Sequence, residues 1–492
     1  MEVLVLESST SAAKAMVYDF NDSNVEILSE PYTPDIGMGG LLDARKVYLA
    51  TMRLGRKLAE GRNIRAIAVC GVWHSILACD ETMSPVLPVY LWNFTGTGGI
   101  SRKIRNNKEL AREIYRNTGC MPNITYQPYA LMHMSEHGLD LRDKYFASQA
   151  GYHFLRLTGK RRETRSIVSG MGFLNIHRLE YDETIMDLCS VRSEQFGELV
   201  DYRATAPLNE EGAELLGLPI GIPVVPPHSD GALNQLGNNA IGPDTMTFSV
   251  GTSAALRLST DRPVLSDPPN TWCYVGVENR ISGAATNGAC NCIDWVKRTL
   301  LANRWSFEEL ENAFSDDHLD DAEKSPLFLP FLYGERCPGW NDLRRGGFRN
   351  LDGVCDVYAL FRAVAEGVLF NIYQCYEILT QFSGTPKKTI LSGGILNSNG
   401  WTRMAADIFQ QELILSPNPH ASLLGGAAPA LCAAGAIGHP GEFSFRETPT
   451  DSGESEVEPR TVLPRREFAD RYREKFERYL EHYRNENADA GL

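Results

Sequence analysis

The sequence predicts an α/β protein of two similar halves facing each other across a cleft, and three observations carry that expectation. Short apolar runs alternate with segments of helical periodicity along most of the 492 residues. A hairpin tip near the start, Ser9-Thr10-Ser11-Ala12-Ala13, recurs as Gly251-Thr252-Ser253-Ala254-Ala255, identical at four of five positions. Asp230 follows the apolar run Ile222, Val224, Val225 and precedes a small-residue helix start. That is the C-terminal end of a strand, where α/β proteins gather reacting groups.

Length and composition narrow the class. A chain of 54.7 kDa exceeds a single core, and its length suggests two or three domains, two being the better reading, expected at 1–241 and 242–492. With 43% hydrophobic and 22% charged residues it is globular, and no stretch approaches the ~18 uninterrupted apolar residues that a membrane span needs. The run Met1 to Leu6 lacks a basic leader and reads as a first strand, which with the composition predicts a cytoplasmic protein. The net charge of −14 disfavours nucleic acid or an anionic membrane as partner, so an anionic substrate must be met by local cations. Eleven cysteines without a C-x-x-C pair, Cys290-Asn-Cys292 being the nearest approach, read as reduced and mostly buried thiols. There is no G-x-x-x-x-G-K-[ST], which excludes a P-loop fold, while the lack of a G-x-G-x-x-G in a βαβ setting and of zinc spacing argues against dinucleotide and zinc sites.

In chain order, Val3 to Leu6 and Ala15 to Tyr18 form the first hairpin, and Leu41 to Glu60 carries helical periodicity. Ile64 to Cys70 is a strand running into Gly71-Val72-Trp73-His74-Ser75, where Trp73 and His74 either line a pocket or pack under a loop. Pro85 to Trp92 reads as a strand and Asn93 to Gly99 as a loop. Residues 101–220 alternate helices with polar turns and suggest no chemistry. Thr247 to Val250 feeds the Gly251-Thr252-Ser253 turn, whose glycine, hydroxyls and N–H groups suit a phosphate, although Gly-Thr-Ser also fills ordinary turns and Asp before Gly is a common cap. Strands follow near Trp272 to Val277, then Ser282 to Gly288 reads as either a close approach to a ligand or a plain turn. The apolar run Leu327 to Leu332 leads into Gly334-Glu335-Arg336-Cys-Pro-Gly-Trp-Asn341. Asp356 to Leu379 is a long helix with Val364, Val368, Leu369 and Ile372 on one face. Thr389 to Leu391 opens on Gly393-Gly394 before the helix Trp401 to Gln410, a unit that suits a nucleotide. Ser422 to Ala434 is a close-packed helix, 449–461 an acidic linker, and Arg466 to Tyr483 a terminal helix whose charges form a solvated face.

With those stretches quoted, the chain resembles the FGGY family of carbohydrate kinases over nearly its full length, and its gluconokinase branch in particular. Gly71 to Ser75, Leu91-Trp-Asn93, His228-Ser-Asp-Gly-Ala232, Val250 to Ser253, Phe328 to Asn341, Phe361 to Asn371, Leu391-Ser-Gly-Gly394 and Leu424-Gly-Gly-Ala427 carry the likeness. The resemblance implies a duplicated actin-like, hexokinase-type (ribonuclease H-like) fold with a central cleft. The N-terminal domain would bind the sugar and the C-terminal domain, with its terminal helix at 463–486, ATP. Asp230 would be the general base that takes the proton from a primary hydroxyl as it attacks the γ-phosphate. Trp73, His74, Asn93 and Ser229 would lie on the sugar side, with Arg336 added here as a bidentate partner for a sugar-acid carboxylate. Thr10, Ser11, Lys14, Gly251, Thr252, Ser253, Gly288, Gly393, Gly394 and Ser398 would serve ATP, and Glu7 would hold Mg²⁺. D-gluconate, converted to 6-phosphogluconate, is the leading substrate, with a xylulokinase-like or other sugar kinase as the alternative. A homodimer is among the assemblies open to such a chain. The chain departs from the family at Glu7 and Ser9, where Asp and Gly are usual, at Lys14 for Arg, and at Phe94 and Gly96, where Asp and Arg stand near the sugar. Those departures sustain a further alternative, a nucleotide-binding regulatory member without turnover.

Overall fold

Val3, Leu4, Val5 and Leu6 are all fully buried, because the first strand is covered on both faces. In the computed structural model, which describes residues 1–316, 325–416, 418, 420–444 and 460–489 apart from the side chains of 486–489, β1 (Glu2–Ser8), β2 (Ala12–Asp19) and β3 (Val25–Pro31) form an antiparallel meander. Leu4 and Leu6 lie against Gly55 of α1 (Ala44–Ala59), where an added Cβ would come within 2.6 Å of Leu6. The helix starts at Asp43, whose carboxylate accepts from the Lys46 amide. Helical periodicity overran this start, and Leu41–Leu42 is a short strand instead. β4 (Ile64–Gly71) and β5 (Pro223–Ser229) add in parallel, giving the order β5-β4-β1-β2-β3, and β5 runs directly into α2 (Asp230–Gly237).

The second half repeats that plan. β6 (Thr245–Val250), β7 (Ala254–Thr260), β8 (Trp272–Val275) and β9 (Arg280–Thr286) pair antiparallel in the order β8-β9-β7-β6. α3 (Val357–Ser383) follows, with Val364, Val368, Leu369 and Ile372 fully buried. β10 (Lys388–Ser392) then joins β6 in parallel, α4 (Asn399–Phe409) crosses over, and β11 (Leu413–Leu415) joins β10 in parallel. The series β9-β7-β6-β10-β11 matches β3-β2-β1-β4-β5 in order and direction, so the fold is the duplicated actin-like, ribonuclease H-like α/β architecture.

α5 (Ala421–Ala433) couples the halves, since it belongs to the second but packs on the first. It covers Val3 and Val5 in a core that also holds Leu233 and Leu236 of α2. Its glycines permit this: a Cβ on Gly425 would lie 1.8 Å from the Leu233 carbonyl oxygen, and one on Gly237 would lie 1.9 Å from that of Ala421. On the other flank, the Cys273 amide donates to the Gly119 carbonyl at 3.1 Å and the Tyr126 and Tyr274 hydroxyls meet at 2.7 Å.

Several sequence expectations change. Pro85 to Trp92 yields only Val89–Leu91 as strand, because Pro85 and Pro88 cannot donate to a ladder. Ser282 to Thr286 is a strand interior, leaving only the last residues of that stretch as turn. Of the expected linker, 449–459 lie outside the described residues, while β12 (Thr461–Val462) pairs with β11. The terminal helix, α6 (Ala469–Asp489), is not a solvated charged rod: Tyr472, Phe476, Tyr479 and Tyr483 are buried. Lys475, 1% exposed, bonds both oxygens of buried Glu366 at 3.0 and 3.1 Å, and Arg362 joins the same carboxylate at 2.9 Å. All eleven cysteines are free and eight are buried. Among the described residues no helix is long and apolar enough to cross a membrane.

Candidate active site

Duplication brings the C-terminal strand ends and both hairpin tips to one cleft. A cavity of about 200 Å³ there is lined by Asp230 from the start of α2, Thr10 from the first tip and Ser253 from the second. Trp73 and His74, beyond the end of β4, form one wall, and Arg257, Trp272 and Tyr274 form another with Arg336. Strand alternation explains the second wall, since Ser253, Ala255 and Arg257 share one face of the hairpin and Trp272 and Tyr274 share one face of β8. So small a cavity suits a monosaccharide-sized ligand.

Asp230 accepts from the Gly231 amide at 2.8 Å. Desolvation, reinforced by the Glu7 charge, raises its pKa to about 6, while Arg257, the Gly231 amide and Lys14 pull the other way. That value suits a base working near neutrality. His74 Nδ1 carries a proton, because its partner is the Gly170 carbonyl, which can only accept. Burial, assisted by Arg336 and Arg257, lowers its pKa to about 3, so the ring is neutral.

The tips differ in what stands behind them. Behind the first, Glu7 is 2% exposed and accepts from Lys14 Nζ at 2.8 Å and Ser422 Oγ at 2.7 Å. Burial lowers the Lys14 pKa, but Glu7, helped by Cys70 and Asp230, keeps it above its ordinary value. Thr10 Oγ1 accepts from the Trp92 indole at 3.1 Å. The second tip closes on itself, Gly251 N–H to the Ser253 carbonyl at 3.0 Å, and its Gly251 carbonyl accepts from Cys290 N–H at 2.9 Å. Cys290 in turn lines a second cleft of about 570 Å³ with Phe307, Phe314, Phe361, Gly394 and Ser398. The Gly251 to Ser253 turn therefore sits between a small polar cavity and a larger aromatic one.

The remaining expected residues divide. Ser11 and Thr252 are exposed at their tips, and Gly393, at φ +96°, packs on Val250, where a Cβ would lie 2.4 Å from its carbonyl oxygen. Ser398 caps α4 by accepting from the Trp401 amide at 3.0 Å while also lining the aromatic cleft. Like Ser11, Thr252 and Gly393, three others line neither cavity. Ser229 is fully buried, bonded to Ser166 and capping α2 through the Ala232 amide; Asn93 is exposed beyond the rim; and Gly288 is buried against the Pro330 carbonyl, 2.2 Å from where its Cβ would stand. Neither Phe94 nor Gly96 lines the cavity, and the Phe94 ring packs instead on Tyr90 and His133. Sequence reasoning assigned no role to Trp92, Arg257, Trp272, Tyr274 or the aromatic cleft. Period-two alternation from Ser253 could have found Arg257; nothing local marks the rest.

Comparison with known proteins accounts for most of the chain. Residues 3–237 match the N-terminal domain of the FGGY family of carbohydrate kinases and residues 246–434 its C-terminal domain. A gluconokinase of Bacillus subtilis (strain 168) is 27% identical over 94% of each chain. Two crystal structures from Lactobacillus acidophilus share the fold at a TM-score of 0.89: a ligand-bound xylulose kinase, 24% identical, and a gluconate kinase, 23% identical, each alignment covering 99% of this chain and 98% of the other.

Proposed function

Because the chain belongs to the FGGY family of carbohydrate kinases, and so is a phosphotransferase with an alcohol acceptor, we propose that it phosphorylates a primary hydroxyl of a sugar acid, D-gluconate to 6-phosphogluconate, with ATP as donor. The observation that carries this reading is that Asp230, its pKa raised to about 6, lines one small cavity together with a hydroxyl residue from each hairpin tip. Asp230 accepts the proton of the hydroxyl, while Thr10 on one side and the turn of Gly251, Thr252 and Ser253 on the other hold phosphate oxygens. Phosphoryl transfer asks mainly for such positioning and charge neutralisation. Phe307, Phe314 and Phe361 receive the base, and Gly393, Gly394 and Ser398 the ribose side. The first domain, 1–241, carries the Trp73, His74 and Asp230 side of the sugar cavity, and the second, 242–492, carries its Arg257, Trp272 and Arg336 side as well as the nucleotide cleft.

The residues present fit Mg²⁺ carried in on the triphosphate. Glu7 and Asp230 interact electrostatically and supply hard oxygen donors, and Mg²⁺ is commonly bound by one or two carboxylates plus phosphates. Glu7 would hold the ion, which when bound neutralises phosphate charge; Lys14 fixes the Glu7 carboxylate.

A coupled ADP-release assay across D-gluconate, other aldonates, D-xylulose and glycerol tests the reading, with gluconate expected to give the highest kcat/KM. Turnover led by a neutral ketose would overturn the substrate assignment. The engagement of both Glu7 oxygens by Lys14 and Ser422 favours a second reading, a nucleotide-binding member without turnover. Calorimetric ATP binding with no product from any alcohol would establish it.

A further inference from the structure

Three side chains of the small cavity each carry a buried hydrogen-bond donor that nothing receives. Arg257, Trp272 and Arg336 all line it. The Nε of each arginine and the indole Nε1 of Trp272, itself 2% exposed, are buried without a hydrogen-bond partner. Arg257 is held by a single bond from Nη1 to Ser249 Oγ at 3.2 Å. Neither guanidinium forms a salt bridge with a carboxylate among the described residues. Buried donors of this kind are costly, and on the walls of one cavity a bound ligand would supply the missing acceptors.

Their chemistry specifies that ligand. All three groups donate and none accepts, whereas a sugar hydroxyl does both; a carboxylate offers only acceptors and a negative charge. The charges agree. Two guanidinium groups face one carboxylate, Asp230, and His74 adds no compensation because it is neutral. Lys14 and Glu7 cancel each other at 2.8 Å. Arg257 interacts electrostatically with both Asp230 and Arg336, and all three line the one cavity. The backbone is fitted to this arrangement: Gly283 lies opposite both Arg257 and Trp272 in the sheet, and a Cβ there would come within 2.4 Å of the indole.

We propose that Arg257 and Trp272, together with Arg336, form a carboxylate cage that selects an open-chain aldonate over neutral sugars and alditols of the same length. The proposal rests on the sugar-kinase reading for the position of the reacting hydroxyl, which lies at Asp230 while the carboxylate lies in the cage. Selection is then by charge at one end of the chain, and hydroxyl stereochemistry in between is secondary.

Calorimetric titration of the full chain with 6-deoxy-D-gluconate, which keeps the carboxylate but lacks the reacting hydroxyl, and with D-glucitol, its neutral counterpart in length, tests the cage without requiring turnover. The deoxy acid should bind roughly 10- to 100-fold more tightly than the alditol. Arg257→Met, Arg336→Met and Trp272→Phe should each narrow that ratio by roughly 10-fold, and Arg336→Lys should restore part of it. Thermal melting identifies any variant that does not fold, in which case the wild-type ratio and the remaining variants decide. Equal binding of acid and alditol by the wild type overturns the proposal, as does an unchanged ratio in the folded variants. Selective binding of the acid with no turnover of any alcohol would keep the cage and remove the kinase reading; phosphorylation of neutral sugars without preference for the acid would do the reverse.

Discussion

Replacing Asp230 with Asn should trade activity for stability, and the two changes have one origin. Desolvation and the nearby Glu7 charge place its pKa at about 6, against 3.8 for an ordinary aspartate. As a base it must be ionised, so kcat/KM of the wild type should climb with pH up to a limb near 6 and be about tenfold below its plateau at pH 5. Asp230→Asn should lose that limb and roughly 10²- to 10⁴-fold in kcat. Stability moves oppositely. A carboxyl whose folded pKa is raised binds its proton more tightly in the folded state, so the protein loses stability as pH rises from about 4 to about 6, and the whole cost is present above that. About two pKa units at about 1.4 kcal/mol each set a ceiling near 3 kcal/mol, and solvent entering the cleft reduces the expected gain to about 1–3 kcal/mol at pH 8, vanishing below pH 4. Urea denaturation at pH 8 and pH 4, beside initial rates from pH 5 to 8, reads both. Arg257→Met should push the limb upward, because the guanidinium lowers the Asp230 pKa. A flat wild-type profile, or an Asn variant within tenfold of wild type, would remove Asp230 from its role.

Phe307 is 53% exposed on the rim of the aromatic cleft, so Phe307→Ala should spare the fold and raise KM for ATP about fivefold or more while leaving that for the sugar unchanged; equal effects on both substrates would contradict a base-binding cleft. Lys475→Met leaves buried Glu366 with Arg362 as its one remaining cation among the described residues and should cost about 3 kcal/mol in chemical denaturation with kinetics preserved; an unchanged midpoint would mean that the pair contributes nothing. Gly425→Ala places a methyl 1.8 Å from the Leu233 carbonyl and should cost about 1–3 kcal/mol. Because it displaces α2, whose first residue is Asp230, kcat should fall with stability, and a drop in stability alone would show that α2 does not position the base.

What the sequence determined by itself was local or repeated. Asp230 at a strand end, the paired tips at Thr10 and Thr252, the buried face of α3 and the Gly393-Gly394 turn all follow from short-range pattern, since alternation, capping and glycine conformation act over a few residues. Duplication was legible for the same reason, as one tip could be laid beside the other. Tertiary structure decided the rest. Arg257 is one arginine in a strand until the sheet places it in one cavity with Asp230, and Trp272 becomes a cavity wall only because Gly283, in register with it, leaves room for the indole. The resemblance put Ser229 and Gly288 at the site, and the structure adds what the sequence does not show, that Ser229 bonds Ser166 and caps α2 while Gly288 packs on the Pro330 carbonyl. Helix α6 reads as solvated because its charges dominate its composition, whereas Glu366, more than a hundred residues away, supplies the partner that buries Lys475. Burial and pairing depend on what the fold brings near, and no single segment contains that information.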